Sequence, residues 1–127
     1  FPFPVYAIDY VSDEKQMARL YNAVDAYVTP SLEDNLPNTI VEALSCGVPC
    51  VGFNVGGIPE MIDHRKNGYL AEARNAEDLA EGIRFILETA SREELSAHAV
   101  HSALANYGET NVASKYIAVY KRASEKR

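Results

Sequence analysis

What most constrains this chain is its rhythm: short apolar runs of strand length alternate with segments of helical spacing, and Pro or Gly often stands at the joints. Val5-Tyr6-Ala7-Ile8 predicts a strand. Residues 13–22 then predict a helix through the spacing of Met17, Leu20 and Tyr21, with Ser12 as its N-cap. Ala26-Tyr27-Val28-Thr29 predicts a second, buried strand. Residues 37–46 predict a helix, because Pro37 stands near its start, where a missing N–H costs nothing, and Gly47 stands just past its end. The strand Pro49-Cys50-Val51-Gly52-Phe53 follows. Such alternation implies an α/β fold: a parallel sheet with right-handed crossovers and helices on both faces. In such sheets ligands bind beyond the carboxyl ends of the strands.

Further along, Gly56-Gly57 breaks the chain, residues 59–63 predict a short helix, and Asn67-Gly68 turns it into the strand Tyr69-Leu70-Ala71. The remainder predicts helices. Asn75 opens one with Leu79, Ile83, Ile86 and Leu87 on one face, Ser91 caps another, and a last one spans about residues 111–123.

A chain of 127 residues, 47% hydrophobic and 24% charged, fits a single domain with a modest core. It reads as a soluble, cytoplasmic chain, and an opening on Phe1 that leads into an apolar stretch reads as a piece of a longer polypeptide. The net charge of −6 argues against a nucleic-acid partner, since phosphate backbones are held by clustered Lys and Arg. A small anionic ligand stays open, because a helix amino terminus offers free N–H groups whatever the overall charge. Cys46 and Cys50 flank Gly47-Val48-Pro49, a spacing that fits neither a redox pair nor half a metal site, and they read as small core thiols.

The stretch from Thr29 to Glu42 is the most informative for function, since there a strand ends, a polar loop follows and a helix begins. N–H groups at about Leu36, Asn38 and Thr39 are free at such a junction, and the helix dipole adds roughly half a positive charge. Asp34 and Glu42 lie eight positions apart and flank the start of the helix, an arrangement able to hold hydroxyls. Pro37, Ile40, Val41 and Leu44 form the apolar face, so Asn38, Glu42 and Ser45 project opposite. Spacing alone supports a second reading equally well, in which Asp34 caps a helix and Glu42 points into water.

Three pieces together are similar to one family. These are Leu20 to Ser31, with Tyr21 and Asp25; Asp34-Asn35-Leu36-Pro37-Asn38-Thr39-Ile40-Val41-Glu42 running on to Val51; and Gly56-Gly57-Ile58-Pro59-Glu60. They resemble the donor-binding domain of the large "group 1" family of retaining glycosyltransferases, of the GT-B type and family 4, over about residues 10–87 and loosely beyond. The resemblance implies a Rossmann-like carboxyl-terminal domain, here without its first strand, from a two-domain enzyme whose other domain binds the acceptor. It implies a hexosyltransferase that takes a nucleotide-diphosphate sugar as donor and a glycan or lipid as acceptor, in polysaccharide or other glycoconjugate synthesis. Cofactor and metal ion are both absent from the implied chemistry, and peripheral contact with the inner face of the membrane is compatible with it.

Residue by residue, the resemblance makes Asp34 the first acid of the family's acidic pair, beside the transferred sugar, although the family usually has Glu there. Glu33 is the alternative if the register shifts by one. Glu42 matches the second acid, on the ribose hydroxyls. Asn35, Leu36, Pro37, Asn38 and Thr39 match the loop whose backbone approaches the diphosphate and sugar, and Tyr10 and Val11 match residues whose backbone meets the nucleobase. Catalysis in the family stabilises the leaving diphosphate, through an Arg and a Lys that would precede Phe1. The chain alone is therefore expected to be inactive.

Two other function classes fit the residues without the resemblance: a nucleotide or sugar-phosphate binding module without transfer activity, and a flavodoxin-like interaction domain. Glu94, His98 and His101 share a helix face but read as solvated rather than as metal ligands, and His64 sits in a polar turn. Gly56-Gly57 reads first as a turn and second as cleft lining, and Glu60 as a partner of the helix dipole.

Overall fold

Three parallel strands carry the fold, and the alternation of side chains along the middle one divides its core in two. The computed structural model describes residues 2–125. In chain order the elements are α1 (Glu14–Asn22), β1 (Tyr27–Thr29), α2 (Asn38–Ser45), β2 (Cys50–Phe53), α3 (Ile58–Met61), β3 (Gly68–Ala71) and α4 (Ala76–Arg84). A π-helical turn (Phe85–Thr89) then leads to α5 (Arg92–Tyr107) and α6 (Glu109–Glu125). The sheet order is β1-β2-β3, with Val28 opposite Val51 and Val51 opposite Tyr69. All four residues of β2 are buried, as expected of a central strand covered on both faces.

Successive strand residues point to opposite faces. Cys50 accordingly joins a cluster with Tyr21 of α1, Ile40, Ala43 and Leu44 of α2, Ile58 and Met61 of α3, and Ala99 and Ala103 of α5. Val51 joins Ile86 and Leu95, with Val28, Tyr69, Leu79, Ile83 and Phe85 packed around them. Gly82 lets α4 lie close to the sheet, since a Cβ there would meet the Tyr69 ring at 2.6 Å and Val51 Cγ1 at 2.8 Å. Ile40, Leu44, Ile58 and Ile62 are almost fully buried, and each such side chain stabilises the fold by about 1.5–3 kcal/mol.

Asn67, legible in the sequence only as part of a turn, is a buried polar staple. Its Oδ1 accepts from the Asp63 N–H at 2.8 Å, and its Nδ2 donates to the Met61 carbonyl at 3.1 Å and to Ser102 Oγ at 2.9 Å. It thereby ties α3 and the start of β3 to α5.

Several sequence expectations are corrected. Val5-Tyr6-Ala7-Ile8 forms no strand. The segment pairs with no strand among the described residues, and Val5, Tyr6 and Ile8 are exposed; β propensity makes a strand only where a neighbour completes the ladder. Ser12 does not cap α1. Asp13 does, its carboxylate accepting from the Lys15 N–H at 3.1 Å. Pro37 stands outside α2 as its N-cap, with ψ of 118°, and the short helix begins at Ile58 rather than Pro59. Leu87 leaves the buried face of α4: the π turn adds a residue to its winding, so Ile86 is buried and Leu87 is 56% exposed. Asn75 and Ser91 cap as expected, accepting from the N–H of Asp78 and of Glu94.

Candidate functional site

Because the strands are parallel, β1 and β2 deliver their carboxyl ends to the same edge of the sheet. Residues 30–37 and 54–57 leave from there. The two loops touch through backbone. Gly57 N–H donates to the Asp34 carbonyl at 3.1 Å. A Cβ on Gly56 would fall on the Asp34 carbonyl oxygen, and one on Gly57 on the Asn35 carbonyl. Gly56 also has φ of +54°, a left-handed conformation that glycine adopts without strain. The glycine pair is therefore a seat for the acid-bearing loop as well as a turn.

From this seat the chain enters α2 through Leu36 and Pro37. Pro37 has no side-chain oxygen, so no side chain caps the helix. The first N–H groups, on Asn38 and Thr39, lack an intrahelical acceptor by the geometry of any α-helix. Asn38 and Thr39 are exposed, Asn35 and Leu36 are exposed, and Asp34 and Pro37 are half-buried. On α2, Ile40 and Leu44 lie inside as expected, with Ala43 added to them, and Glu42 and Ser45 lie outside, but Val41, expected on the apolar face, is half-buried and lines the same cleft as Glu42 and Ser45.

Glu42 does not simply point into water. Tyr21 is buried, and its hydroxyl donates to Glu42 Oε2 at 2.9 Å. Burial first, and then this donation to a carboxylate, hold the Tyr21 hydroxyl protonated well above the ordinary tyrosine range. Tyr27 packs edge-on against Tyr21 with ring centroids 6.0 Å apart, and its hydroxyl donates to Thr39 Oγ1 at 2.9 Å. Residue spacing marked Tyr21 as a core position of α1; its polar tip was the one available sign of a second role, since a buried tyrosine hydroxyl needs a partner.

Between α1, the segment before it and α2 lies a cleft of about 420 Å³. Tyr10, Val11, Met17, Tyr21, Val41, Glu42 and Ser45 line it, together with Ser12, Glu14, Ala18 and Cys46. The structure thus brings Glu42 together with Tyr10 and Val11, which lie 32 and 31 positions earlier in the sequence. Asp34, Asn35, Leu36, Pro37, Asn38 and Thr39 do not line this cleft; they run from the glycine seat to the start of α2. Among the described residues no Lys or Arg lines the cleft. Elsewhere, Glu94, His98 and His101 lie exposed on α5. Among the described residues no group of three or more His, Cys, Asp or Glu is placed to hold a metal ion, and no helix is long and apolar enough to cross a membrane.

A parallel sheet covered on both faces, with its candidate site at the carboxyl ends of the strands, defines a Rossmann-like domain. Among solved structures it superposes on sucrose-phosphate synthase from Thermosynechococcus elongatus, with a TM-score of 0.76 and 23% identity over 89% of this chain. It superposes likewise on Anabaena HepE in complex with UDP, with a TM-score of 0.74 and 24% identity over 82% of the chain. Both are proteins of the GT-B architecture, and the chain covers 29% of each. Residues 5–102 match the family "Glycosyl transferases group 1", and the chain belongs to that family. It is 32% identical over 117 residues to N,N'-diacetylbacillosaminyl-diphospho-undecaprenol alpha-1,3-N-acetylgalactosaminyltransferase of Campylobacter jejuni. That match takes in 91% of this chain and spans 31% of the relative's length.

Proposed function

We propose that this chain is the donor-binding domain of a retaining glycosyltransferase that moves a hexose from a nucleotide-diphosphate sugar to a glycan, lipid or other acceptor. The observation that carries the reading is Glu42: an acid on the first turns of α2, held by Tyr21 and facing a cleft whose other wall includes Tyr10 and Val11. A carboxylate has about four acceptor positions, and Tyr21 occupies one, so Glu42 retains capacity for two ribose hydroxyls. The base then lies against the backbone of Tyr10 and Val11. The diphosphate meets the N–H groups of Asn38 and Thr39, beside Asn35, Leu36 and Pro37, and the sugar lies next to Asp34. The UDP held by the Anabaena neighbour supports a nucleotide donor.

In this reading the acceptor is bound by a separate domain, which also supplies the approach to the sugar, and no metal ion or cofactor takes part. The protein works in the cytoplasm, and at the inner face of the membrane where its acceptor is a lipid. Family membership, the cleft and the uncapped helix support this assignment.

The test is Glu42→Ala in the intact protein, titrated calorimetrically with UDP, GDP and ADP. Loss of two charge-assisted hydrogen bonds should weaken binding by about 1.5–3 kcal/mol, roughly tenfold to a hundredfold. Ala is the better helix former, but the change also leaves the Tyr21 hydroxyl without its acceptor, so the fold should lose about 1–3 kcal/mol and the affinities are compared well below the melt. Unchanged affinity would remove Glu42 from the site. Tight nucleotide binding without sugar transfer to any acceptor would favour a non-catalytic nucleotide-binding module.

A further inference from the structure

Two tyrosines from different elements converge on the ligand-facing side of α2. Tyr21, at the end of α1, reaches Glu42, and Tyr27, on β1, reaches Thr39. The rings meet edge to face, and Tyr21 packs in the core with Ile40 and Leu44 of the same helix. An exposed glutamate on a helix ordinarily samples several rotamers and loses that freedom when a ligand arrives. Here a rigid, buried phenol with two side-chain torsions fixes one carboxylate oxygen beforehand.

We infer that Tyr21 is a positioning residue for nucleotide binding: its hydroxyl orients the Glu42 carboxylate so that the other oxygen faces the ribose, while Tyr27 holds the Thr39 end of the same turn. The inference rests on the assignment of Glu42 to the ribose and deepens it. Tyr21 need not touch the nucleotide; it acts through Glu42. Burial keeps its hydroxyl a donor at any pH at which the protein works, so the contact is constant.

The test uses the intact protein, with UDP, GDP and ADP screened first and the tightest compared with its 2′-deoxy form. Tyr21→Phe removes one oxygen and keeps the ring in the core. It should lower affinity for the nucleoside diphosphate about five- to tenfold and erode the preference over the 2′-deoxy form by a similar factor. That preference is a ratio within one protein, so it is insensitive to the fraction folded. In a Glu42→Ala background the same Tyr21→Phe change should cost nothing further, because the residue through which it acts is gone. Tyr27→Phe should leave the ribose preference at its wild-type value. Wild-type affinity in Tyr21→Phe, an equal loss in both backgrounds, or an equal loss of ribose preference in Tyr27→Phe would each overturn the inference. Wild-type affinity in Glu42→Ala alone would instead mark the failure of the ribose assignment itself.

Discussion

Replacing Gly57 by Ala isolates the contact between the glycine seat and the acid-bearing loop. Gly57 has φ of −89°, which alanine adopts freely, so backbone strain contributes nothing. The added Cβ lands on the carbonyl group of Asn35, with Leu36 Cδ2 at 3.0 Å. The obstacle is main chain, not the flexible end of a side chain, so the loop or α3 must move. Overpacking of this kind costs about 1–3 kcal/mol. Loss of the Gly57 N–H to Asp34 carbonyl bond adds about 0.5–1.5 kcal/mol, and the lower entropy of an unfolded chain with Ala offsets about 0.4–1 kcal/mol. A net destabilisation of about 0.5–4 kcal/mol should lower the thermal midpoint by roughly 2–15 °C in a domain of this size. Scanning calorimetry reads the melt. Titration with a nucleotide sugar beside its nucleoside diphosphate reads the site, and the increment due to the sugar should shrink because Asp34 is displaced. A variant that melts and binds sugar as the wild type does would refute the idea that the glycine pair seats the loop.

Two further outcomes follow from buried groups. Asn67→Ala should cost about 2–4 kcal/mol, since it leaves the Asp63 N–H and the Met61 carbonyl without the partner that joined them and unlinks α5; a denaturant melt with little change would sink that reading. At alkaline pH the fold should weaken. Burial pushes the Cys50 thiol up, and burial with Glu42 pushes Tyr21 up, so the unfolded chain releases these protons first. Stability is full below the unfolded cysteine value of about 8.5 and falls as pH rises above it. Cys50→Val should flatten the decline; an unchanged slope of stability against pH would refute it.

Much of this protein was legible in its order of residues because the decisive signals are local. Pro37 and Gly47 bracket α2, Asn75 and Ser91 cap the helices they precede, and Ile40 and Leu44 recur at helical spacing. Two acids eight positions apart around a strand-to-helix junction also lie on one continuous segment, which is why Asp34 and Glu42 could be singled out beforehand. What only the tertiary structure decided depends on partners distant in sequence. Val5-Tyr6-Ala7-Ile8 has the composition of a strand but pairs with no strand among the described residues. Gly56 and Gly57 are explained by the backbone of Asp34 and Asn35, some twenty positions earlier. Tyr21 meets Glu42 across 21 positions, and Asn67 meets Ser102 across 35. Helical and turn preferences are properties of a few neighbouring residues, whereas a ladder, a buried hydrogen bond or a close backbone approach exists only once the packed core has brought both halves together.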